Sequence, residues 1–247
     1  LNPVAERIMS EEPASNTILL IAHSNWRENR VEPLLRAKGY GVEWRCPALG
    51  DRLPERRDVY AGAIVFGGVQ SANDAPATAY LQHEIDWIRG HVEAGGRYLG
   101  ICLGGQLLAR AFGARVAPHD EGMVEIGYFP VMPTEQGRDF LPDPLHVYHW
   151  HQEGFELPAG AELLARGGNG FPNQAFRYGP KAYGLQFHPE VTASVARAWL
   201  DSAASHLARP GAQPRAHQES AMPRHDGPLH DWMDGFLERW LGPSDGR

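Results

Sequence analysis

Two cysteines occur among the 247 residues, and only one has neighbours that put a thiol to chemical use. Cys102 lies in the run RYLGICLGGQLLA, residues 97–109. An apolar strand pattern leads directly into it, and a helical pattern starts at Leu103. Gly100 and Gly104 flank it at minus two and plus two. This is the cysteine version of the nucleophile elbow, a sharp strand-to-helix turn that holds the central side chain exposed. A side chain at either glycine would collide with neighbouring backbone. The turn aims a helix N-terminus at the sulfur, where partial positive charge favours a thiolate. The N–H of Leu103 would face an oxygen developing on a carbon attacked by that sulfur. An isolated cysteine at a strand end is more often buried and inert. The glycines and the strand–Cys–helix order argue against that reading here. Cys46, in WRCPAL, has neither feature and reads as structural.

A thiol nucleophile needs a base, and the base needs a third group to fix its tautomer. GLQFHPEV, residues 184–191, offers both. Side chains two apart in an extended segment share a face. Glu190 can then accept from one nitrogen of His188 while the other faces Cys102, with Pro189 stiffening the backbone between them. A His beside a Glu is also a common surface pair. What gives this one weight is its place after an apolar strand, downstream of the elbow cysteine.

The elements that must carry these groups are legible from periodicity. Residues 17–22 (TILLIA), 40–45, 61–66 (AGAIVF) and 97–101 read as strands. Residues 31–38, 78–93 and 103–112 have helical spacing. Leu81, Ile85, Ile88 and Val92 form one face of the second helix, which ends at Gly95-Gly96. This alternation predicts an α/β fold of three layers, a mostly parallel central sheet with helices on both faces. The Gly- and Pro-rich middle, 116–176, holds short β-like runs at 124–131 and 145–150, read as a small antiparallel segment laid against the parallel core. Residues 183–187 are strand-like, and 192–206 read as a helix with Thr192 as N-cap. The domain is expected to span 17–207, after an N-terminal extension of residues 1–16. Residues 208–228 carry four prolines and read as a polar linker. A final amphipathic helix follows over 229–241, with Trp232, Phe236 and Trp240 on one face. It is expected to dock on the domain, the alternative being a partner-docking helix.

Composition narrows the classes. The net charge of -7, with Arg and Lys scattered, gives no electrostatic argument for nucleic acid or an anionic membrane. No apolar run reaches the length of a membrane-spanning helix. The N-terminal residues lack the pattern of a signal peptide, and two cysteines make no disulfide framework, so a cytoplasmic location is expected. Twelve histidines raise the question of a metal. His149 and His151 share a strand face, with His146 nearby, but no cysteine or carboxylate pattern completes a ligand set. No metal and no organic cofactor are expected.

GICLGGQ and QFHPE together resemble the class I glutamine amidotransferases of the Cys-His-Glu type. Three further segments agree in order: FGGVQS (66–71), HWHQEGFELPAGAELLA (149–165) and FPNQAFRYG (171–179). The last two are similar to stand-alone amidotransferase-like proteins related to the glutaminase domain of GMP synthetase. The matches run from about residue 60 to 191. The resemblance implies a flavodoxin-like fold and a catalytic triad of Cys102, His188 and Glu190. It implies the N–H groups of Gly68 and Leu103 as oxyanion donors. It also implies substrate contacts from Gln106 and from the segment Trp150, His151, Gln152. Val69 departs from the family, which has proline there, and this puts the rigidity of the oxyanion loop in question. Residues 191–247 are too few for a synthetase domain.

Three functions therefore stand open. One is glutamine hydrolysis to glutamate and ammonia, with a synthetase partner engaged in trans. Another is hydrolysis of other γ-glutamyl peptides or amides. The third is a non-catalytic regulatory or binding module, against which a complete triad argues.

Overall fold

The computed structural model describes residues 16–242. The N-terminal extension expected from the sequence, apart from Asn16, lies outside the described residues. The first half runs β1 (Thr17–Ile21), α1 (Val31–Ala37), β2 (Gly41–Arg45), β3 (Gly62–Val65), α2 (Ala79–Glu93), β4 (Tyr98–Ile101) and α3 (Leu103–Ala111). The middle adds β5 (Val116–Pro118), β6 (Glu125–Pro133), β7 (Leu145–His151), β8 (Glu153–Phe155), β9 (Glu162–Arg166), β10 (Asn173–Tyr178) and β11 (Ala182–Leu185). Two helices close the chain, α4 (Ala193–Ser202) and α5 (Arg215–Leu241).

Nine strands form one sheet in the order β2-β1-β3-β4-β11-β10-β9-β6-β7. The half from β2 to β11 is parallel, and from β11 to β7 every pairing is antiparallel. The expected antiparallel segment is therefore an edge-to-edge continuation of the main sheet rather than a layer laid against it. β5 and β8 pair separately.

A parallel strand flanked by helices on both faces must be apolar throughout. β1 shows how its period of two then serves two cores. Ile18 and Leu20 enter one cluster with Leu35, Ile64, Leu99 and α5's Phe236. Leu19 and Ile21 enter the other with Val65 of β3, Leu81 and Ile88 of α2, and Leu107 of α3.

The C-terminal region differs from expectation. The predicted linker is helical from Arg215 onward, and α5 runs through both Pro223 and Pro228. Each proline removes one helical hydrogen bond and crowds the carbonyl four residues back. Both prolines are exposed, as are Glu219 and Arg224, whose carbonyls lose their donors. Water can satisfy those groups, while Met222, Leu229, Met233, Phe236 and Leu237 are buried on the opposite side. Tertiary burial outweighs the local penalty. The helix docks on its own domain: Trp240 donates from Nε1 to the Lys181 carbonyl at 3.1 Å. At the start of α4, the Thr192 side chain accepts from the Val195 N–H at 3.3 Å, the expected cap.

Candidate active site

Cys102 stands between β4 and α3 with φ 51° and ψ -107°, the one non-glycine residue with positive φ among the described residues. Such a conformation costs ~1–3 kcal/mol and persists only where the surroundings enforce it. Here they do. The Cys102 N–H donates to the Leu185 carbonyl at 2.8 Å, and its carbonyl accepts from the Gln106 N–H at 3.0 Å. The glycines around it are a steric necessity. A Cβ on Gly100 would lie 2.3 Å from the Gly104 carbonyl oxygen, and one on Gly104 would lie 2.1 Å from that of Val65. Helix α3 is thereby pressed against β3, with its N-terminus beside the sulfur. The other cysteine, Cys46, is buried and its thiol donates to the Ser24 carbonyl at 3.4 Å.

His188 follows β11, and its N–H donates to the Tyr148 carbonyl at 2.8 Å. Its Nδ1 donates to Glu190 Oε1 at 2.7 Å. Its Nε2 has no protein partner, and the edge of Trp199 packs against the ring at a centroid distance of 5.0 Å. Burial opposes charge on this imidazole. The Glu190 carboxylate, and after it the Cys102 sulfur, outweigh that effect and raise the His188 pKa to about 10. The three side chains predicted from two distant motifs thus meet, all buried, at one site. Arg30 fixes the turn that carries the dyad. Its N–H donates to the Glu190 carbonyl at 2.9 Å, and its guanidinium bonds the Val191 carbonyl and Asp226 of α5.

The loop after β3 brings Gly67 and Gly68 alongside. A Cβ on Gly67 would lie 2.8 Å from His188 Cε1 and 3.5 Å from Cys102 Cβ. His23, which the sequence presents only as part of a polar loop, anchors this segment. Its Nδ1 donates to the Gly67 carbonyl at 3.3 Å and its Nε2 to Glu84 at 3.1 Å. Both ring nitrogens face acceptors. Burial works against the charge, but Glu84 overcomes it and the His23 pKa is raised. Because the peptide is trans, anchoring the Gly67 carbonyl turns the Gly68 N–H to the side away from His23. Val69, at the position of the family's proline, is 98% exposed. Loop rigidity here comes from a buried imidazole rather than from a ring in the backbone.

The residues implied as substrate contacts fall in different places. Cys102, His188, Gly67 and Gly68 border a cleft of about 540 Å³, and Trp150 lines it as well. Gln106 lies beneath it, 4% exposed, donating to the Glu153 carbonyl at 2.9 Å and to Gln186 Oε1 at 3.3 Å. Gln186 in turn donates to Cys102 Sγ at 3.8 Å, so Gln106 reaches the sulfur through a second amide. His151 is buried away from the cleft, and Gln152 is exposed and bonded to Arg209. Leu103 is the first residue of α3, so its N–H has no partner within the helix.

The sequence shows no carboxylate to complete a ligand set with the histidines of β7, but the fold supplies one. The β6–β7 register places Glu125 opposite His151 and Gly127 opposite His149. Ligand atoms of Glu125, His149 and His151 lie within 4.8 Å of one another, all buried. These three could hold a metal. They are also partly paired with one another: Glu125 Oε2 lies 2.9 Å from His151 Nε2, and His151 Nδ1 donates to the Glu153 carbonyl at 3.0 Å, while His149 Nε2 has no hydrogen-bond partner. Gln174 donates to the same carboxylate oxygen at 2.7 Å. Burial lowers the His149 pKa to about 3, with His151 and His188 adding repulsion that Glu125 only partly offsets.

A family model, glutamine amidotransferase class-I, matches residues 41–203. The chain belongs to the class I glutamine amidotransferase family. A glutamine amidotransferase-like protein of Salmonella typhimurium, YfeJ, is 32% identical over 201 residues, which are 76% of this chain and 77% of that protein. One of the subunits of the glutamine-hydrolysing GMP synthase of Thermococcus kodakarensis is 33% identical over 172 residues, 68% of this chain and 83% of that protein. The crystal structure of a glutamine amidotransferase from Thermotoga maritima superposes with a TM-score of 0.83 at 29% identity, covering 93% of this chain and 99% of that one. The mixed sheet is thus the family's, and the model match runs from β2 to the helix after the His-Pro-Glu turn. Among the described residues no helix is long and apolar enough to cross a membrane.

Proposed function

We propose that this protein hydrolyses a γ-glutamyl amide, glutamine in the first instance, through a thioester on Cys102. The observation that carries the reading is the meeting of a backbone-strained cysteine with a His188–Glu190 pair, bonded at 2.7 Å, on one cleft. The Cys102 thiolate attacks the γ-carbonyl carbon. The N–H groups of Gly68 and Leu103 receive the oxyanion, a task suited to donors already fixed by His23 and by the helix start. His188 gives its proton to the leaving nitrogen as the C–N bond breaks, and Glu190 stabilises the imidazolium. Water then gives a proton to His188 and attacks the thioester, the C–S bond breaks, and glutamate leaves with the Cys102 thiolate and the His188 imidazolium restored. The ammonia can pass to a synthetase bound in trans.

The test is release of glutamate and ammonia from glutamine by the purified chain, beside Cys102→Ala. Wild-type turnover is expected, with a mass increase on Cys102 corresponding to a glutamyl thioester after rapid acid quench. Activity that persists in Cys102→Ala rules the mechanism out. A folded wild type inert toward every γ-glutamyl amide favours a non-catalytic module.

A further inference from the structure

Ammonia is about the size of water, whose share of liquid volume is ~30 Å³. The cleft against Cys102 measures about 540 Å³. Pockets of ~300–1,000 Å³ take ligands of drug size. Its walls are aromatic. Trp150 and Trp199 meet edge to face at 5.8 Å, while Trp44 and Phe66 stack at 5.4 Å, and all four line it. Trp26 stands at the rim, 49% exposed, with its Nε1 tied to the Glu28 carbonyl at 3.2 Å. A glutamine side chain and a departing ammonia leave most of this surface unused.

The direction of the cleft is set by the base. In any attack by Cys102 the leaving nitrogen must approach His188 Nε2 to receive its proton. His188 is itself a wall of the cleft, with Trp199 packed against it at a centroid distance of 5.0 Å. A substituent on that nitrogen therefore meets the aromatic lining of the cleft, in which Trp199 packs against His188. Resting on the hydrolase reading above, we infer that the preferred substrates are N-substituted γ-glutamyl amides whose amine carries an aromatic or bulky apolar body. The scissile step is the same: the C–N bond breaks, His188 protonates the nitrogen, and a primary amine leaves instead of ammonia. Aromatic side chains supply large contact area and stacking or edge contacts for such a group.

The experiment compares kcat/KM for glutamine, γ-glutamyl methylamide and γ-glutamyl benzylamide on the wild type, Trp26→Ala and Ala198→Phe. Ala198 lies on the cleft wall contributed by α4, and a phenyl group there would take up cleft volume. The wild type is expected to favour the benzylamide over glutamine by tenfold or more. The benzylamide-to-methylamide ratio should fall at least fivefold in both variants, with circular dichroism confirming that each is folded. Glutamine turned over as well as the benzylamide, or a ratio that neither folded variant moves, overturns the inference and leaves the hydrolase reading intact. Failure of all three amides in folded wild type overturns that reading itself.

Discussion

Gly104→Ala tests the elbow with a single methyl group. A Cβ at this position sits 2.1 Å from the Val65 carbonyl oxygen, whereas real Cβ contacts stay beyond about 3.0 Å, so β3 and α3 must part by about 0.9 Å. Both sides of the contact are backbone, and neither can swing aside. Overpacking of this kind costs ~1–3 kcal/mol. Helix propensity alone would give the opposite sign, because alanine inside a helix is favoured over glycine by ~1 kcal/mol. The sign of the change therefore decides between the two effects. Function should suffer further, because Val65 is followed directly by the segment carrying Gly67 and Gly68, and a displacement of ~1 Å at a reacting centre can cost ~10²-fold. The assay is a urea unfolding midpoint together with the initial rate of amide hydrolysis. Gly168→Ala serves as control, since a Cβ there meets nothing within 4 Å. It should change stability by no more than ~0.5 kcal/mol. A Gly104→Ala protein as stable as wild type and equally active would refute the steric account of the elbow.

Glu190→Gln keeps the shape of the orienting side chain but removes the charge that holds His188 in its proton-donating form. Turnover is expected to drop by ~10²–10⁴, as loss of the orienter does in other triads, and stability near neutral pH should fall as well, because the charge that raises the His188 pKa is gone; a rate within threefold of wild type in the folded variant would remove Glu190 from the mechanism. The buried His149 makes the fold acid-labile. Its folded pKa is about 3 against an ordinary 6.5, so between those values the unfolded chain binds a proton that the folded chain does not. Stability then falls as pH drops through this window, by about 1.4 kcal/mol per unit from this group. His149→Phe should flatten the acid limb of a pH–stability profile, and an unchanged slope would show that other groups set it. His188 has the opposite sign. Its raised pKa contributes stability that is complete below 6.5 and lost as pH rises toward about 10, so His188→Gln should flatten the alkaline limb.

The sequence alone determined the backbone turn at Cys102. A strand, a cysteine between two glycines and a helix leave the backbone one way to turn, and those constraints are local. His188 and Glu190 were legible for the same reason, being two residues apart on one extended segment. The alternation of strand and helix through residue 112 was equally plain, because burial on both faces of a parallel sheet demands runs of apolar residues. What the tertiary structure decided lies between distant segments. Glu125 meets His151 only because β6 and β7 pair in one register. His23 becomes an anchor for Gly67 only when β1, β3 and α2 are brought together. The two prolines of α5 argue locally against a helix, and burial of the opposite face against the domain overrides them. The aromatic cleft likewise draws its walls from several loops and helices that no short window joins. Local backbone constraint is written in neighbouring residues, whereas a cavity is a property of what packs around it.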